Sequence, residues 1–193
     1  MEKIAIIGSS GAGKSMLAKE LGSILKIKVF HMDRFCWLRG WKGKTEDTRI
    51  DILHKLVRDK QWIIEGTYLN SSTPRLEAAD TIIFLDTPLP LCLWRIIKRH
   101  CKCSEPSRRD IPEGCTDKLT LSRMLKVLAF PFQDRKVLMR QLRDYESKRI
   151  IWLRSGKEVK GFLAQLRQDA NDKRNSSSKA PVEKRKALAV IGR

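Results

Sequence analysis

Apolar positions along the chain fall into two patterns, short solid runs and longer stretches with helical spacing. Residues 3–7 and 81–86 are almost continuous apolar runs, as expected of strands buried on both faces of a parallel sheet. Residues 26–31, with some alternation, 61–68 and 148–154 complete five predicted strands. Helical spacing predicts helices over 13–25, 45–60, 89–100, 117–130, 134–147 and 158–168. In the second of these Ile50, Leu53, Leu56 and Val57 form the apolar stripe, with Thr45 or Asp47 capping its start. In the third, Leu93, Ile96 and Ile97 point inward, and Pro131 separates the next two. Segments 34–43 and 101–116 carry no period and are predicted loops.

Strands alternating with helices define an α/β protein, a parallel sheet with helices on both faces. Ligands of such sheets bind beyond the carboxyl ends of the strands. The residues just past those ends are Gly8 to Ser15, Asp33, Glu65-Gly66, Asp86 and Ser155-Gly156, and all but Asp86 are chemically suited to a site.

The first of these is the strongest signal. Gly8-Ser9-Ser10-Gly11-Ala12-Gly13-Lys14-Ser15 follows a strand and opens a helix at Met16, the context that makes a Gly-rich phosphate loop specific. Its glycines let backbone N–H groups turn inward around phosphate oxygens, and the helix N-terminus adds partial positive charge. Lys14 is placed to reach the terminal phosphates of a nucleoside triphosphate, and the Ser15 hydroxyl to bind Mg²⁺.

Glu65, after the third strand, is a candidate for holding a water of that Mg²⁺; otherwise it is a solvated strand-end carboxylate. Asp33, after the second, is a candidate for orienting or deprotonating an acceptor hydroxyl, with capping of its loop as the alternative. His31 beside it reads as structural. Arg95 and Arg99 share a helical face, and Arg108-Arg109 follow in the next loop. Together they would clamp a transferring phosphoryl group from the side opposite Lys14, or form a solvated basic face. Trp37 and Trp41 would stack on a planar substrate or cover the core. His100, Cys101, Cys103 and Cys115 could make a zinc-stapled lid, but Cys-x-Cys is tighter than the usual structural spacing.

Composition adds the partners. Forty Lys and Arg against 22 Asp and Glu give a net charge of +18, which suits polyanions without choosing between nucleotides, nucleic acid and anionic lipid. No apolar run approaches the roughly 20 residues of a membrane helix. With no export signal after Met1 and five irregularly spaced cysteines, the expectation is a cytoplasmic protein with reduced thiols. Beyond Asp169 the chain turns polar and charged without period, so the expected layout is a domain over 1–168 and a basic, disordered tail over 169–193.

The ordered set of motifs resembles the small P-loop kinase-like DNA topology modulation proteins (the FlaR type), relatives of adenylate and shikimate kinases. The matching stretches are Ile6 to Ser15, His31-Met32-Asp33 with Trp37, Gly40 and Trp41, and Trp62 to Tyr68. They continue through Arg75, Ala79 to Asp86, Arg95 with Arg99, and Arg109-Asp110 with Gly114-Cys115, covering about residues 1–165. The resemblance implies a three-layer P-loop fold with strand order 2-3-1-4-5. It further implies a substrate-side segment around 33–60 containing Asp33, Trp37 and Trp41, with Gly66 and Arg75 also facing substrate, and a lid around 101–117. Ser155-Gly156-Lys157 would lie near the adenine, and Cys115 would have a packing role. Where the family usually has Asp, this chain has Glu65, whose extra methylene alters the approach to a metal-bound water.

Three functions fit these features. The first is ATP- and Mg²⁺-dependent phosphoryl transfer to a small molecule such as a nucleoside or nucleotide. The second is a nucleotide-binding protein whose basic surface and tail contact nucleic acid nonspecifically. The third is a nucleotide-binding remnant without turnover. No DNA- or RNA-binding motif is present, and the acidic strand ends and Arg-rich lid favour the first.

Overall fold

The computed structural model of the chain describes residues 1–101 and 120–179. A five-stranded parallel sheet is built from β1 (Lys3–Gly8), β2 (Val29–His31), β5 (Trp62–Glu65), β6 (Thr81–Leu85) and β7 (Arg149–Leu153). A separate two-stranded ribbon, β3 (Trp37–Leu38) with β4 (Lys42–Gly43), accounts for the missing numbers. The sheet order is β2-β5-β1-β6-β7, the expected 2-3-1-4-5 order once the ribbon is left out of the count.

Side chains alternate along β1 and divide the core between two faces. Ile4 and Ile6 pack with Leu17 and Leu21 of α1 (Lys14–Leu25), Cys92 and Ile96 of α5 (Leu89–Cys101) and Leu163 of α8 (Gly156–Lys179). Ala5 and Ile7 face the other way, onto Met32 of α2 (Met32–Cys36), Leu53 of α3 (Glu46–Leu56) and Leu76 of α4 (Thr73–Ala78). Phe130, just after α6 (Leu121–Ala129), and Leu138 and Leu142 of α7 (Asp134–Arg143) complete that face. The result is the three-layer architecture expected. Thr45 caps α3, its hydroxyl accepting from the Thr48 N–H at 3.3 Å.

Three expectations change, and a fourth falls outside the described residues. Segment 34–43 is not an irregular loop: α2 runs straight into the β3–β4 ribbon, closed by a tight turn in which Gly40 adopts φ +72°. Periodicity cannot reveal strands of two residues. Ile97 faces outward, 43 % exposed, because Ile96 and Cys92 already fill the contact with the sheet. Helix α8 continues to Lys179 rather than ending near Gln168, so the expected start of a disordered tail at 169 falls inside it. Neither Gly nor Pro occurs between Gly161 and Pro181, so no residue breaks the helix there. The expected lid over 101–117, apart from Cys101 at the end of α5, lies outside the described residues, as do Arg108, Arg109, Cys103, Cys115 and the tail beyond 179.

Candidate active site

The phosphate loop joins the central strand to α1, and its glycines are forced by close approach. Gly8 has φ +142°, and a Cβ there would sit 2.4 Å from the Leu85 carbonyl oxygen. Gly11, at φ +80°, would strike the Cys92 carbonyl oxygen at 2.5 Å. Gly13 starts α1 in a left-handed conformation, turning the first N–H groups of the helix toward the loop. Within it, the Ala12 N–H bonds the Ser9 carbonyl at 3.2 Å. Ser10 and Met16 are exposed, and Met16 projects from the first turn of α1.

Lys14 arcs over the loop, its ammonium donating to the Gly8 and Ser9 carbonyls at 2.8 and 2.9 Å. Burial pulls its pKa below the usual lysine value, opposed by the charges of Glu65 and Asp33. On the outer side, Arg95 Nη1 donates to the Ala12 carbonyl at 2.8 Å and the Gly11 carbonyl at 3.4 Å, and Thr87 Oγ1 to Ala12 at 3.2 Å. Arg95 therefore grips the carbonyl groups of the loop and braces it. Arg99 lies one turn further along α5, half-buried.

The parallel register sets His31 of β2 beside Glu65 of β5, and Glu65 beside Ile6 of β1. Glu65 is thus held at the sheet's carboxyl edge next to the start of α1, and it is 4 % exposed. Its Oε1 accepts from Ser15 Oγ at 3.0 Å and from His31 Nδ1 at 2.9 Å. Burial pushes this carboxyl up, but the His31 hydrogen bond, the Lys14 charge and the Ser15 hydrogen bond outweigh it, and its pKa falls. A carboxylate accepts only, so His31 carries its proton on Nδ1. Ser15 and Glu65 together present hard oxygen donors, a set that fits Mg²⁺ and not a thiolate-seeking metal.

Asp33 sits in the first turn of α2. Its Oδ1 accepts from the Tyr68 hydroxyl at 2.5 Å, and that hydroxyl accepts from Trp37 Nε1 at 2.7 Å. Burial, then the Asp33 charge, drives the Tyr68 pKa up and keeps the phenol protonated. Trp41 meets Trp37 edge-on with ring centroids 5.7 Å apart, and the Arg49 guanidinium lies 5.6 Å from the Tyr68 ring centre. The Trp37 indole N–H is thus committed to Tyr68, with the Trp41 ring packed edge-on against Trp37. Gly66, at φ +138°, makes the turn off β5; a Cβ there would meet the Met32 Cβ at 2.8 Å.

Arg75 of α4 is the most unusual residue of the site. It is 0 % exposed, and among the described residues none of its three guanidinium nitrogens has a hydrogen-bond partner. Burial lowers its pKa to about 10, the charge of Cys36, then Glu65, opposing the fall. It stays charged at neutral pH. The neighbouring Cys36 thiol is pushed up to about 11 by burial and stays neutral.

At the far edge, Ser155 caps α8: its hydroxyl accepts from the Glu158 N–H at 3.2 Å, while the Glu158 carboxylate accepts from Ser155 Oγ and the Arg154 N–H. Gly156 is the first residue of that helix, with nothing within 4 Å of where a Cβ would stand. Asp86, set aside in the sequence, forms a two-pronged ion pair with Arg135, both bonds 2.8 Å. Sequence reasoning missed Thr67, whose hydroxyl binds both backbone groups of Gly8, and the contact of His31 with Glu65. Thr67 and Tyr68 stand directly after Glu65-Gly66, so the strand-end rule that selected Glu65 would have found them one step further on.

A phosphate loop after the central strand β1, with Glu65 at the end of β5 and Asp33 just after β2, matches a P-loop kinase fold. Solved structures agree. The chain is similar to shikimate kinase from Bacteroides thetaiotaomicron (17 % identity, 86 % of this chain and 96 % of that one, TM-score 0.50). It is equally similar to shikimate kinase from Acinetobacter baumannii in complex with shikimate (14 % identity, 94 % and 96 % covered, TM-score 0.50). At such identities the likeness speaks for the fold alone. No protein-family model matches the chain, and no curated protein matches it in sequence. Among the described residues no helix is long and apolar enough to cross a membrane.

Proposed function

We propose that this protein is a Mg²⁺-dependent phosphotransferase that moves the terminal phosphoryl group of ATP to a small, negatively charged acceptor. The observation that carries the reading is the arrangement of two opposed halves around Glu65. One is a phosphate loop with Lys14 and a Ser15–Glu65 hydrogen bond; the other holds Asp33 and the buried, unpartnered Arg75.

In this reading the nucleotide phosphates lie along Gly8 to Ser15, against backbone N–H groups and the N-terminus of α1. Lys14 exchanges its two carbonyl partners for phosphate oxygens. Mg²⁺, held from Ser15 and through water from Glu65, would neutralise phosphate charge. Asp33, with Oδ1 fixed by Tyr68, takes or orients the acceptor hydroxyl. Arg75 meets the acceptor's anionic group, since an unpaired buried guanidinium is costly unless a ligand completes it. Trp37 and Trp41 wall the acceptor, Gly66 allows its close approach, and Gly156 borders the adenine. Arg99 and Arg109 complete the phosphate side. The finer resemblance, to DNA topology modulation proteins, names no reaction and leaves the acceptor open.

The test is transfer of label from ATP to a panel of nucleosides, nucleotides, sugars and hydroxy acids, each neutral compound paired with a phosphorylated or carboxylated counterpart. Transfer to charged members only is expected, and none with Lys14→Ala. ATP binding without transfer to any member would make the chain a nucleotide-binding remnant. The net charge of +18 supports a second reading, nonspecific contact with nucleic acid. Salt-sensitive DNA binding that disappears on deleting residues 170–193 would support it; no such binding by the full chain would end it.

A further inference from the structure

Glu65 is held by two donors from different elements and stands near a buried guanidinium it does not bond. Its Oε1 holds His31 Nδ1 and Ser15 Oγ, and among the described residues neither donor reaches Oε2. Arg75 is fully buried and feels the same carboxylate electrostatically, yet no hydrogen bond joins them. A buried carboxylate and a buried guanidinium gain strongly wherever they can close into a charge-assisted pair, so Arg75 is a competitor for Glu65 that an anchor must outweigh.

The β2–β5 register supplies it. His31 and Glu65 are direct partners in the ladder, so the imidazole stands beside the carboxylate, and the ring is tied to a strand rather than to a loop. Glutamate has one more rotatable bond than aspartate, so it needs a second anchor besides Ser15 to stay at the loop.

We propose that His31 is a positioning residue that keeps Glu65 on the phosphate loop and away from Arg75. One hydrogen bond thereby serves both halves of the site. It leaves Ser15 and Glu65 together for the metal, and it leaves the guanidinium open for the acceptor's anion. With its hydroxyl proton donated to Glu65, Ser15 would keep its lone pairs free to hold Mg²⁺. The inference rests on the assignment of the loop to ATP and Mg²⁺.

The experiment measures ATP binding by calorimetry, with and without Mg²⁺, in the full chain and in three variants. Wild type is expected to bind ATP more tightly with Mg²⁺. His31→Ala should lose about tenfold of that Mg²⁺-dependent gain while its Mg²⁺-free affinity stays in place, the scale on which residues supporting metal ligands act. His31→Asn, whose amide nitrogen stands where Nδ1 does, should restore it. His31→Ala combined with Arg75→Met should also recover part of it, because the competing partner is gone. An undiminished Mg²⁺ gain in His31→Ala, equal loss in His31→Asn, or no recovery in the double variant overturns the proposal. If wild type binds no ATP at all, the assignment of the loop fails and this inference falls with it, an outcome separate from the other three.

Discussion

Thr67 clasps both backbone groups of Gly8. Its hydroxyl donates to the Gly8 carbonyl at 2.5 Å and accepts from the Gly8 N–H at 3.1 Å, tying the turn after β5 to the first residue of the phosphate loop. Lys14 shares that carbonyl, so the loop's entry is fixed from both sides. Thr67→Val keeps the shape and removes the hydroxyl, leaving a backbone N–H without its partner. The expected cost is about 1–3 kcal/mol of unfolding free energy in urea titrations, with weaker ATP binding. Thr67→Ser should retain both. Equal stability of the valine and serine variants would mean the clasp contributes nothing.

Lys14 illustrates a site held at the expense of the fold. Burial lowers its pKa, so the folded chain binds that proton less tightly than the unfolded chain does. The group therefore opposes folding at neutral pH, and its cost is relieved only as pH rises through the folded value toward the ordinary 10.5. Lys14→Met is expected to abolish ATP binding and, in the absence of ligand, to raise the thermal midpoint. A lowered midpoint would show that the two carbonyl contacts outweigh the desolvation.

Much of this fold is legible in the chain because buried parallel strands are nearly pure apolar runs. The predicted segment 81–86 is β6 at Thr81–Leu85, and 148–154 is β7 at Arg149–Leu153. The phosphate loop was legible because its glycines answer to backbone geometry, at Gly8 and Gly11 against carbonyl oxygens of β6 and α5. What was hidden depends on contacts between distant residues. The Trp37–Tyr68–Asp33 chain spans 35 positions, and no periodicity encodes it. Arg75 gave a motif match but no hint that it would be wholly buried without a partner. His31 read as structural because nothing in the sequence shows that the register sets it opposite Glu65.

Asp80 anchors the opposite end of the sheet and contributes to stability on the acid side. Its Oδ2 accepts from the Glu2 and Lys3 N–H groups at 2.6 and 2.9 Å, and its Oδ1 from Thr81 Oγ1 at 2.7 Å. Burial pushes the carboxyl up, but these hydrogen bonds outweigh it and the pKa falls below the ordinary 3.8. A depressed carboxylate stabilises above its unfolded pKa and loses that contribution as pH falls through the folded value. Asp80→Ala should therefore unfold more easily than wild type by a constant margin from neutral pH down to about pH 5, and the margin should close in more acid solution. A margin independent of pH would assign the effect to packing.

Arg75 carries the sharpest conflict between stability and function in the molecule. Its guanidinium is 0 % exposed, its three nitrogens have no hydrogen-bond partner among the described residues, and it keeps its charge at neutral pH because its pKa falls only to about 10. Replacing an uncompensated buried charge by an apolar side chain of similar length commonly stabilises by about 1–4 kcal/mol. For a chain of this size each kcal/mol moves the midpoint by roughly 2–4 °C. Arg75→Met is thus expected to melt higher than wild type in ligand-free buffer. It should also lose transfer to the anionic acceptor while retaining ATP binding, because among the described residues no hydrogen bond ties Arg75 to the phosphate loop. Arg75→Lys keeps the charge but not the fork, so it should recover neither stability nor full transfer. A lower midpoint for Arg75→Met would mean that the guanidinium has partners within the folded chain, and the case for an anionic acceptor would lose its main support.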